Sequence, residues 1–353
     1  MSTRTLILGG TRFLGRYLAT ACQQRGHRVT LFHRGLSDAD ALPEVEHLIG
    51  DRNGNLDAVR GKAWDIVFDT SGYDVAPVRA AALAVAHADV HYVFVSSISV
   101  YSDFTRVSDE SAPRRHLDDA EHVALSIDSY GGLKAACEDA ASEALPGRVQ
   151  SIRAGLILGP HDYDARFAYW LRRIARGGEV LAPGKPEAFV QFIDVRDLAA
   201  WMVRSAEERR AGPFNVTGPL HFVTMSGLLD TIRTVTRSDA RFTWVPDAFL
   251  VEHEVAPYSE MPFWLPEATP FRIDVTRAVD AGLAYRPVAE TVRDTWAWLQ
   301  TGWDAAASAR AQLRIQVPAG IDDAREARLL AAFHGRPHST DETEGLGRPK
   351  TDA

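Results

Sequence analysis

The chain has 353 residues, a formal net charge of -8 and a hydrophobic content of 46%. This length exceeds the size at which one hydrophobic core usually stops growing, which predicts a large unit with a smaller lobe or two interleaved domains. The negative charge argues against nucleic-acid binding by phosphate neutralisation, and no apolar run is long enough to span a membrane. Two cysteines, Cys22 and Cys137, provide neither a disulfide framework nor a metal-binding motif, so we expect a cytoplasmic protein without a metal.

Short apolar runs alternate with helical patterns through the first half of the chain. The apolar runs predict strands at 5–8, 29–32, 47–49, 65–68, 92–95 and 150–153. Between them, the spacing of apolar residues predicts helices at 13–25, 76–88 and 129–144. Wholly apolar strands that alternate with helices predict an α/β fold with a doubly wound parallel sheet, a Rossmann fold, covered on both faces.

After about residue 155 glycine, proline and tryptophan become more frequent, which is typical of a region that caps a sheet and shapes a pocket. We therefore expect a dinucleotide-binding domain over 1–155 that regains segments from about 189–216, and a smaller, mainly substrate-binding lobe over 156–300. A helix is predicted at 289–300, and a helical extension over 301–334 contains a second one at 321–334. The polar composition of 335–353 predicts a disordered tail.

A glycine turn follows the first predicted strand and precedes the first helix. Strand, glycine turn and helix in this order form the context in which a helix N-terminus binds a pyrophosphate. Gly9 permits the tight turn and Gly15 permits close packing of helix on strand, while Arg12 stands where the pattern expects a middle glycine. The residues of this turn that we expect to contact a dinucleotide are Gly9, Thr11, Arg12, Phe13, Leu14 and Gly15.

The end of the second predicted strand indicates which dinucleotide is bound. NAD enzymes usually carry an acidic residue there for the ribose 2′-hydroxyl, whereas NADP enzymes carry a cation. This chain has no carboxylate at that point but has Arg34, which with Arg12 can bind a 2′-phosphate, unless both are ordinary surface arginines. We therefore expect NADP, with NAD as the alternative. Further cofactor contacts are expected after the third and fourth strands, at Asp51, Arg52, Thr70, Ser71 and Gly72.

A tyrosine and a lysine four residues apart, Tyr130 and Lys134, lie on one face of the predicted helix. A free phenol has a pKa near 10, and we expect the nearby ammonium to lower it so that Tyr130 can exchange a proton. Gly131 and Gly132 lower helix propensity, so the sequence predicts close approach of a nicotinamide or substrate there. Ser97 follows the fifth strand at the sheet edge where ligands bind, and its hydroxyl can orient a substrate oxygen.

Taken together, the glycine turn, the run from Ser96 to Tyr101, the Tyr130–Lys134 pair and the segment 191–197 resemble the extended short-chain dehydrogenase/reductases. Within them, residues 3–300 are similar to the NAD-dependent epimerase/dehydratase family, with the turn of a reductase-like branch. The resemblance implies that Ser97, Tyr130 and Lys134 are catalytic, and that Tyr130 and Lys134 also contact the cofactor. It further implies that Ala154 and Leu156 line the nicotinamide and that the protein forms a homodimer.

The residues after Ser97 narrow the reaction. Sugar dehydratases of this family carry an Asp-Glu pair there, whereas this chain has Ile98 and Ser99, so we expect a reductase rather than a dehydratase. A nucleotide-sugar epimerase with tightly bound NAD is one alternative, and a non-catalytic cofactor-binding regulator or RNA-binding protein is another. The expected substrate is small and polar or sugar-like, with contacts from Ser97, Ser99, Arg166, Tyr169, Gln191, Trp264 and Arg286.

Overall fold

The computed structural model describes residues 2–36, 42–219, 223–266, 272–302 and 319–336. Its strands are β1 (Arg4–Leu8), β2 (Arg28–His33), β3 (Glu46–Ile49), β4 (Ile66–Asp69), β5 (His91–Ser97), β6 (Val149–Ala154), β7 (Leu156–Leu158), β8 (Glu179–Pro183), β9 (Phe189–Val190), β10 (Phe192–Asp194), β11 (Gly212–Val216), β12 (Val223–Thr224) and β13 (Arg241–Val245). Its helices are α1 (Phe13–Gln24), α2 (Val75–Ala84), α3 (Ile127–Ala144), α4 (Arg166–Ala175), α5 (Val195–Glu207), α6 (Met225–Thr236), α7 (Asp247–Glu252), α8 (Thr276–Asp280), α9 (Val288–Leu299) and α10 (Asp323–His334).

Seven parallel strands form the central sheet in the order β11-β6-β5-β4-β1-β2-β3. Helices α1 and α5 pack together on one face of this sheet, and α2 and α3 pack together on the other. Both faces of the sheet are therefore covered, which explains why nearly all residues of its inner strands are buried. The predicted doubly wound parallel sheet is confirmed, with the chain reversing its strand order next to β1.

A third cluster of buried side chains lies outside the central sheet. It joins α4, α6, α9 and α10 around the parallel pair β8 and β13, with Trp170 and Phe249 among its largest members. Because β7, β9, β10 and β12 are only two or three residues long, no periodicity marks them in the sequence, and none of them was predicted. No helix among the described residues is long and apolar enough to cross a membrane.

The predicted helices differ from the observed ones at their ends. Helix α2 ends at Ala84, four residues before the predicted end, and the ring of His87 just beyond it is hydrogen-bonded to the carbonyl of Trp64 at 2.6 Å. Helix α3 begins at Ile127 because Ser126 and Ser129 cap it reciprocally. Most of the predicted tail, residues 337–353, lies outside the described residues, as does 303–318 of the predicted extension.

Candidate active site

A cleft of about 770 Å³ lies at the carboxyl ends of the central strands. The glycine turn after β1, the residues after β2 and β4, the end of β5 and helix α3 all contribute to its wall. This is the edge at which ligands bind in doubly wound sheets. The predicted site residues that line it are Gly9, Thr11, Arg12, Phe13, Leu14, Gly15, Arg34, Asp51, Arg52, Thr70, Ser71, Ser97, Tyr130, Lys134 and Ala154.

The glycine turn is built for close approach of backbone. Gly9 has a φ of +101°, which side chains rarely adopt, and a Cβ there would lie 2.5 Å from Thr70 Oγ1. A Cβ on Gly15 would collide with the backbone of Gly10, so only glycine lets α1 begin this close to β1. Both roles predicted for these glycines therefore have a geometric reason.

The cleft has the features that a dinucleotide requires. No side chain caps the N-terminus of α1, so its first N–H groups and the positive end of its dipole face the cleft wall. At the other end, the buried Ser96 lines the cleft, and its Oγ has no hydrogen-bond partner among the described residues. The uncapped helix end would be satisfied by the phosphates of a cofactor that fills the cleft.

The two arginines expected to select the cofactor differ in their surroundings. Arg34 is exposed at the cleft wall. Arg12 also lines the cleft, but its guanidinium lies over the ring of Tyr163, 4.3 Å from the centroid. Next to Arg34, His33 Nε2 lies 2.8 Å from His47 Nδ1, and His33 Nδ1 accepts the N–H of Gly35. Burial and His47 lower the pKa of His33, so Arg34 is the cation at the end of β2.

Arg52 has a different role from the predicted one. Its terminal nitrogens donate to both carboxylate oxygens of the buried Asp69, at 2.6 and 2.9 Å, and to Ser71 Oγ. Tyr92 also donates to Asp69, at 2.7 Å. Because this pairing lowers the pKa of Asp69 and occupies the guanidinium, Arg52 stabilises the floor of the cleft and has little capacity left to bind a cofactor. Asp51 instead lines the cleft with one oxygen accepting the N–H of Asn53.

The segment after β4 is held against β1. Thr70 Oγ1 donates to the carbonyl of Leu8 at 2.9 Å, which places Thr70 and Ser71 beside the glycine turn. Gly72 was predicted to contact the cofactor but does not line the cleft, because its α-carbon packs against Phe94 and Val78. Its carbonyl oxygen has another function as an acceptor for Lys134.

Tyr130 and Ser97 meet at the inner end of the cleft. Ser97 Oγ accepts the N–H of Ser99 at 3.1 Å, and the Ser97 side chain lies close enough to Tyr130 to favour its ionised form. Burial raises the pKa of Tyr130 to about 12, with a smaller upward effect from Tyr73, and the nearby Ser97 and Arg166 side chains partly oppose this rise. The phenol is therefore neutral at pH 7 and able to donate a proton.

The contacts of Lys134 differ from those that its predicted role requires. Its Nζ donates to the carbonyls of Gly72 and Val95 at 2.7 and 2.6 Å, and it lies 4.2 Å from the ring centroid of Phe94. The prediction that Lys134 lowers the pKa of Tyr130 is wrong for this structure, because Lys134 is not among the charges that act on the phenol. Lys134 is 3% exposed, and this burial lowers its own pKa to about 8.

The two glycines of α3 are explained by protein contacts rather than by a ligand. A Cβ on Gly131 would collide with the carbonyl oxygen of Ser99, and a Cβ on Gly132 would lie 2.6 Å from Leu117. The close approach that the sequence predicts is thus real, but it brings α3 against the end of β5. This contact places Tyr130 beside Ser97.

A second cavity, of about 550 Å³, contains two of the predicted substrate residues, Gln191 and Trp264. Leu156 lines this cavity as well, whereas its neighbour Ile157 lines the cleft. Successive side chains of a strand point to opposite faces, so β7 forms a wall that the two sites share. Leu156, which was predicted to line the nicotinamide, lines the second cavity in this structure, and Gly155 and Ile157 line the cleft beside it.

The other predicted substrate residues are distributed unevenly. Arg166 is paired with Asp164 but lies close enough for its charge to act on Tyr130. Tyr169 packs on Trp170 and Gly320, and Arg286 donates to Asp197 at 2.7 Å. Tyr169 and Arg286 line neither the cleft nor the second cavity, so the structure gives them packing and ion-pair roles.

Two further tyrosines of the cleft were missed by the sequence reasoning. The ring centroid of Tyr73 is 6.5 Å from that of Tyr130, and Lys134 Nζ lies 5.3 Å from the ring centroid of Tyr73. Tyr163 packs edge-on against Phe13 at the glycine turn. Tyr73 directly follows the predicted segment 70–72, so its position in the cleft could have been predicted. No motif in the sequence indicates that Tyr163 lines the cleft.

Comparison with known proteins shows which family the chain is similar to. Residues 5–217 match the model of the NAD dependent epimerase/dehydratase family. The chain is 28% identical, over 76% of its length and 70% of the relative's, to the chloroplast stem-loop binding protein of 41 kDa b of Arabidopsis thaliana. It is 24% identical to the isoflavone reductase homolog IRL of Zea mays, over 83% of this chain and 97% of that one.

Among solved structures, the UDP-glucuronic acid 4-epimerase from Bacillus cereus, in complex with NAD, is similar with a TM-score of 0.62. The similarity covers 85% of this chain and 99% of that one at 12% identity, so it supports the fold alone. The fold and the cleft define a nicotinamide-dependent enzyme of the oxidoreductase and epimerase class. The chain belongs to the NAD dependent epimerase/dehydratase family, which confirms the resemblance stated from its motifs.

Proposed function

We propose that the protein is an NADPH-dependent reductase that converts a ketone to a secondary alcohol. The observation that carries the proposal is that Ser97, Tyr130 and Lys134 line one cleft with the glycine turn, where burial raises the pKa of Tyr130 and keeps its phenol neutral. A phenol that keeps its proton at pH 7 is suited to protonate a carbonyl oxygen, whereas an oxidation or epimerisation must begin with proton removal.

The chain's own residues have distinct tasks in this reaction. The glycine turn and the N-terminus of α1 would hold the pyrophosphate of the cofactor, and Arg34 its 2′-phosphate. When bound, the reduced nicotinamide supplies the hydride. Ser97 orients the carbonyl oxygen, and Tyr130 donates a proton to it as negative charge develops. Lys134, which lines the same cleft, would hold the cofactor ribose.

The proposed preference for NADP over NAD rests on one positively charged side chain and on the lack of an acidic residue at the end of β2. Arg34 is exposed at the cleft wall at the end of β2, where NAD enzymes place a carboxylate. We further propose a cytoplasmic homodimer. The two cysteines are buried free thiols, which suits a reducing compartment. The dimer is carried over from the family resemblance.

The replacement Tyr130→Phe tests the proposal. It removes the proton donor without changing the ring, so NADPH oxidation with a panel of ketones is expected to fall by about 10²-fold or more. NADPH affinity, followed by its fluorescence, should stay within about twofold. Tyr17→Phe is the matched control, because the Tyr17 hydroxyl contacts only the carbonyl of Pro160 and lies outside the cleft. A Tyr130→Phe enzyme with full activity would refute the assigned role.

A second candidate function comes from the name of the Arabidopsis relative, which describes a stem-loop binding protein. RNA binding at this chain's surface requires basic residues that neutralise phosphates. The formal charge of -8 argues against it, and Ser97, Tyr130 and Lys134 of the cleft would have no task in it. We therefore favour catalysis.

A further inference from the structure

The second cavity differs in chemistry from the cofactor cleft. Its inner wall is formed by carbon-rich side chains that are buried or half-buried, namely Leu156, Phe189, Val190, Met225, Phe263 and Trp264. Charged side chains stand at its mouth, where Lys185, Glu187 and Arg272 are exposed. An apolar interior with a polar rim is the usual form of a pocket that binds by removing apolar surface from water.

The polar side chains inside this cavity are already bonded within the chain. The Gln191 amide exchanges two hydrogen bonds with the backbone of Ile273, at 3.0 and 2.8 Å. Trp264 Nε1 donates to Asp247 at 2.8 Å, and Thr224 Oγ1 caps α6. A ligand group that enters here therefore gains mainly from contact with carbon and aromatic faces, not from new hydrogen bonds.

The charges around the cavity also oppose a diphosphate. Two cations, Lys185 and Arg272, are balanced by two anions, Glu187 and Asp247. A diphosphate would bring two or more negative charges against a wall whose formal charges cancel. A nucleoside diphosphate would thus be poorly matched to this cavity, even though related folds accept one.

The cavity adjoins the reacting groups of the cleft. Leu156 and Ile157 are consecutive on β7 and face the two sites, and the charge of Arg166 acts both on Tyr130 in the cleft and on Tyr258 in the cavity. A molecule that extends past β7 from the cavity would place a carbonyl at Tyr130 and keep its remaining atoms in the cavity.

We infer that the substrate is a ketone joined to a flat apolar body, such as an aromatic ring system, which packs against Leu156, Phe263 and Trp264. This inference rests on the proposed reductase function and replaces the sugar-like substrate expected from the sequence. In the reduction, the carbonyl carbon gains a hydride from reduced nicotinamide dinucleotide, the carbonyl π pair moves to oxygen, and oxygen takes the proton of Tyr130. The products are a secondary alcohol and the oxidised dinucleotide.

Binding of 2-acetylnaphthalene, compared with UDP-glucose, tests the inference on the whole protein by calorimetry in the presence of NADP. We expect 2-acetylnaphthalene to bind at least tenfold more tightly. Leu156→Glu, which places a carboxylate in the apolar wall, should weaken that binding at least tenfold, whereas Leu156→Met should leave it within about threefold. NADPH affinity should be unchanged in both variants, because residue 156 faces away from the cleft.

The outcomes distinguish a failure of the inferred substrate from a failure of the proposed reductase function. Tighter binding of UDP-glucose, or equal binding by Leu156→Glu and Leu156→Met, would refute the inferred apolar substrate. If NADPH still binds, either result leaves the proposed reductase function standing. Absence of both NADPH and NADH binding would instead overturn the reductase function, and with it the inferred reaction. A folded Leu156→Glu protein is verified by its retained NADPH affinity, so loss of the naphthyl ligand alone cannot be attributed to unfolding.

Discussion

At the scale of single residues, the structure assigns different tasks to cations that look alike in the sequence. Four of the 39 basic residues are lysines, and Lys134 is the one buried at the inner end of the cleft. Arg52 forms an ion pair with Asp69, and Arg286 forms one with Asp197. Arg34 is exposed at the cleft wall. Their partners, which lie 17 to 89 positions away in the chain, decide these roles.

Arg34 provides the first prediction at this scale. Replacing it with alanine should raise the Kd for NADPH about tenfold and leave the Kd for NADH unchanged, because only the former carries a 2′-phosphate. Fluorescence titration with both dinucleotides measures the two affinities. Arg28→Ala is the control, since Arg28 is exposed at the opposite end of β2. Equal weakening for both cofactors would show that Arg34 does not read the 2′-position.

The lowered pKa of Lys134 predicts that cofactor binding depends on pH. Burial lowers its folded pKa to about 8, so the ammonium is present below that pH and is lost as the pH rises through it. NADPH affinity should therefore weaken between about pH 7.5 and 9.5, because a neutral amine no longer attracts the cofactor. Lys134→Met should bind NADPH more weakly at pH 7 and show a flat profile over this range. The same slope in both proteins would exclude Lys134 as its source.

At the scale of elements, helix α3 is the unit that brings the proposed catalytic residues together. It begins with a reciprocal cap between Ser126 and Ser129, and Gly131 lets it touch the end of β5. Only the side chains at its first turns face the cleft, while Cys137 and Ala141 pack in the core below. The placement of Tyr130 thus depends on how the helix begins.

Removing this cap should be measurable as a loss of stability. Ser126→Ala deletes the side chain that accepts the Ser129 N–H at 3.1 Å, and it should lower the free energy of unfolding by about 1 kcal/mol. Ser142→Ala on the same helix is the control, because its hydroxyl bonds only to the Glu138 carbonyl. Urea denaturation followed by circular dichroism provides both values, and equal effects of the two substitutions would argue against a special role for the cap.

The sequence predicted most elements of the central sheet because its strands contain short apolar runs and are separated by helices. The lobe could not be predicted in the same way, because strands of two or three residues such as β9 and β12 carry no period. Ser97 and Tyr130 were found because motifs mark them. Their neighbours Tyr73 and Tyr163 reach the cleft through tertiary packing, as does the displacement of Lys134 towards Gly72 and Val95.

At the scale of the whole molecule, net charge separates the enzyme from an RNA-binding protein. A chain with a formal charge of -8 repels a phosphate backbone unless basic residues are concentrated on one face. A stem-loop RNA should therefore not be retarded by this protein in a gel at micromolar concentration and 150 mM salt, an ionic strength at which even non-specific binders retain about 10⁻⁴ to 10⁻⁶ M affinity. A shift that disappears as salt is raised would revive the RNA-binding alternative.

Strand β7 suggests how such a protein diversifies over evolutionary time. Its neighbouring residues Leu156 and Ile157 line two different cavities on opposite sides of a three-residue strand. A mutation at 156 changes the lining of the second cavity and leaves the side chain at 157 in the cofactor cleft unchanged. Under the proposed function, descendants can therefore exchange one substrate for another by single substitutions while hydride transfer is retained.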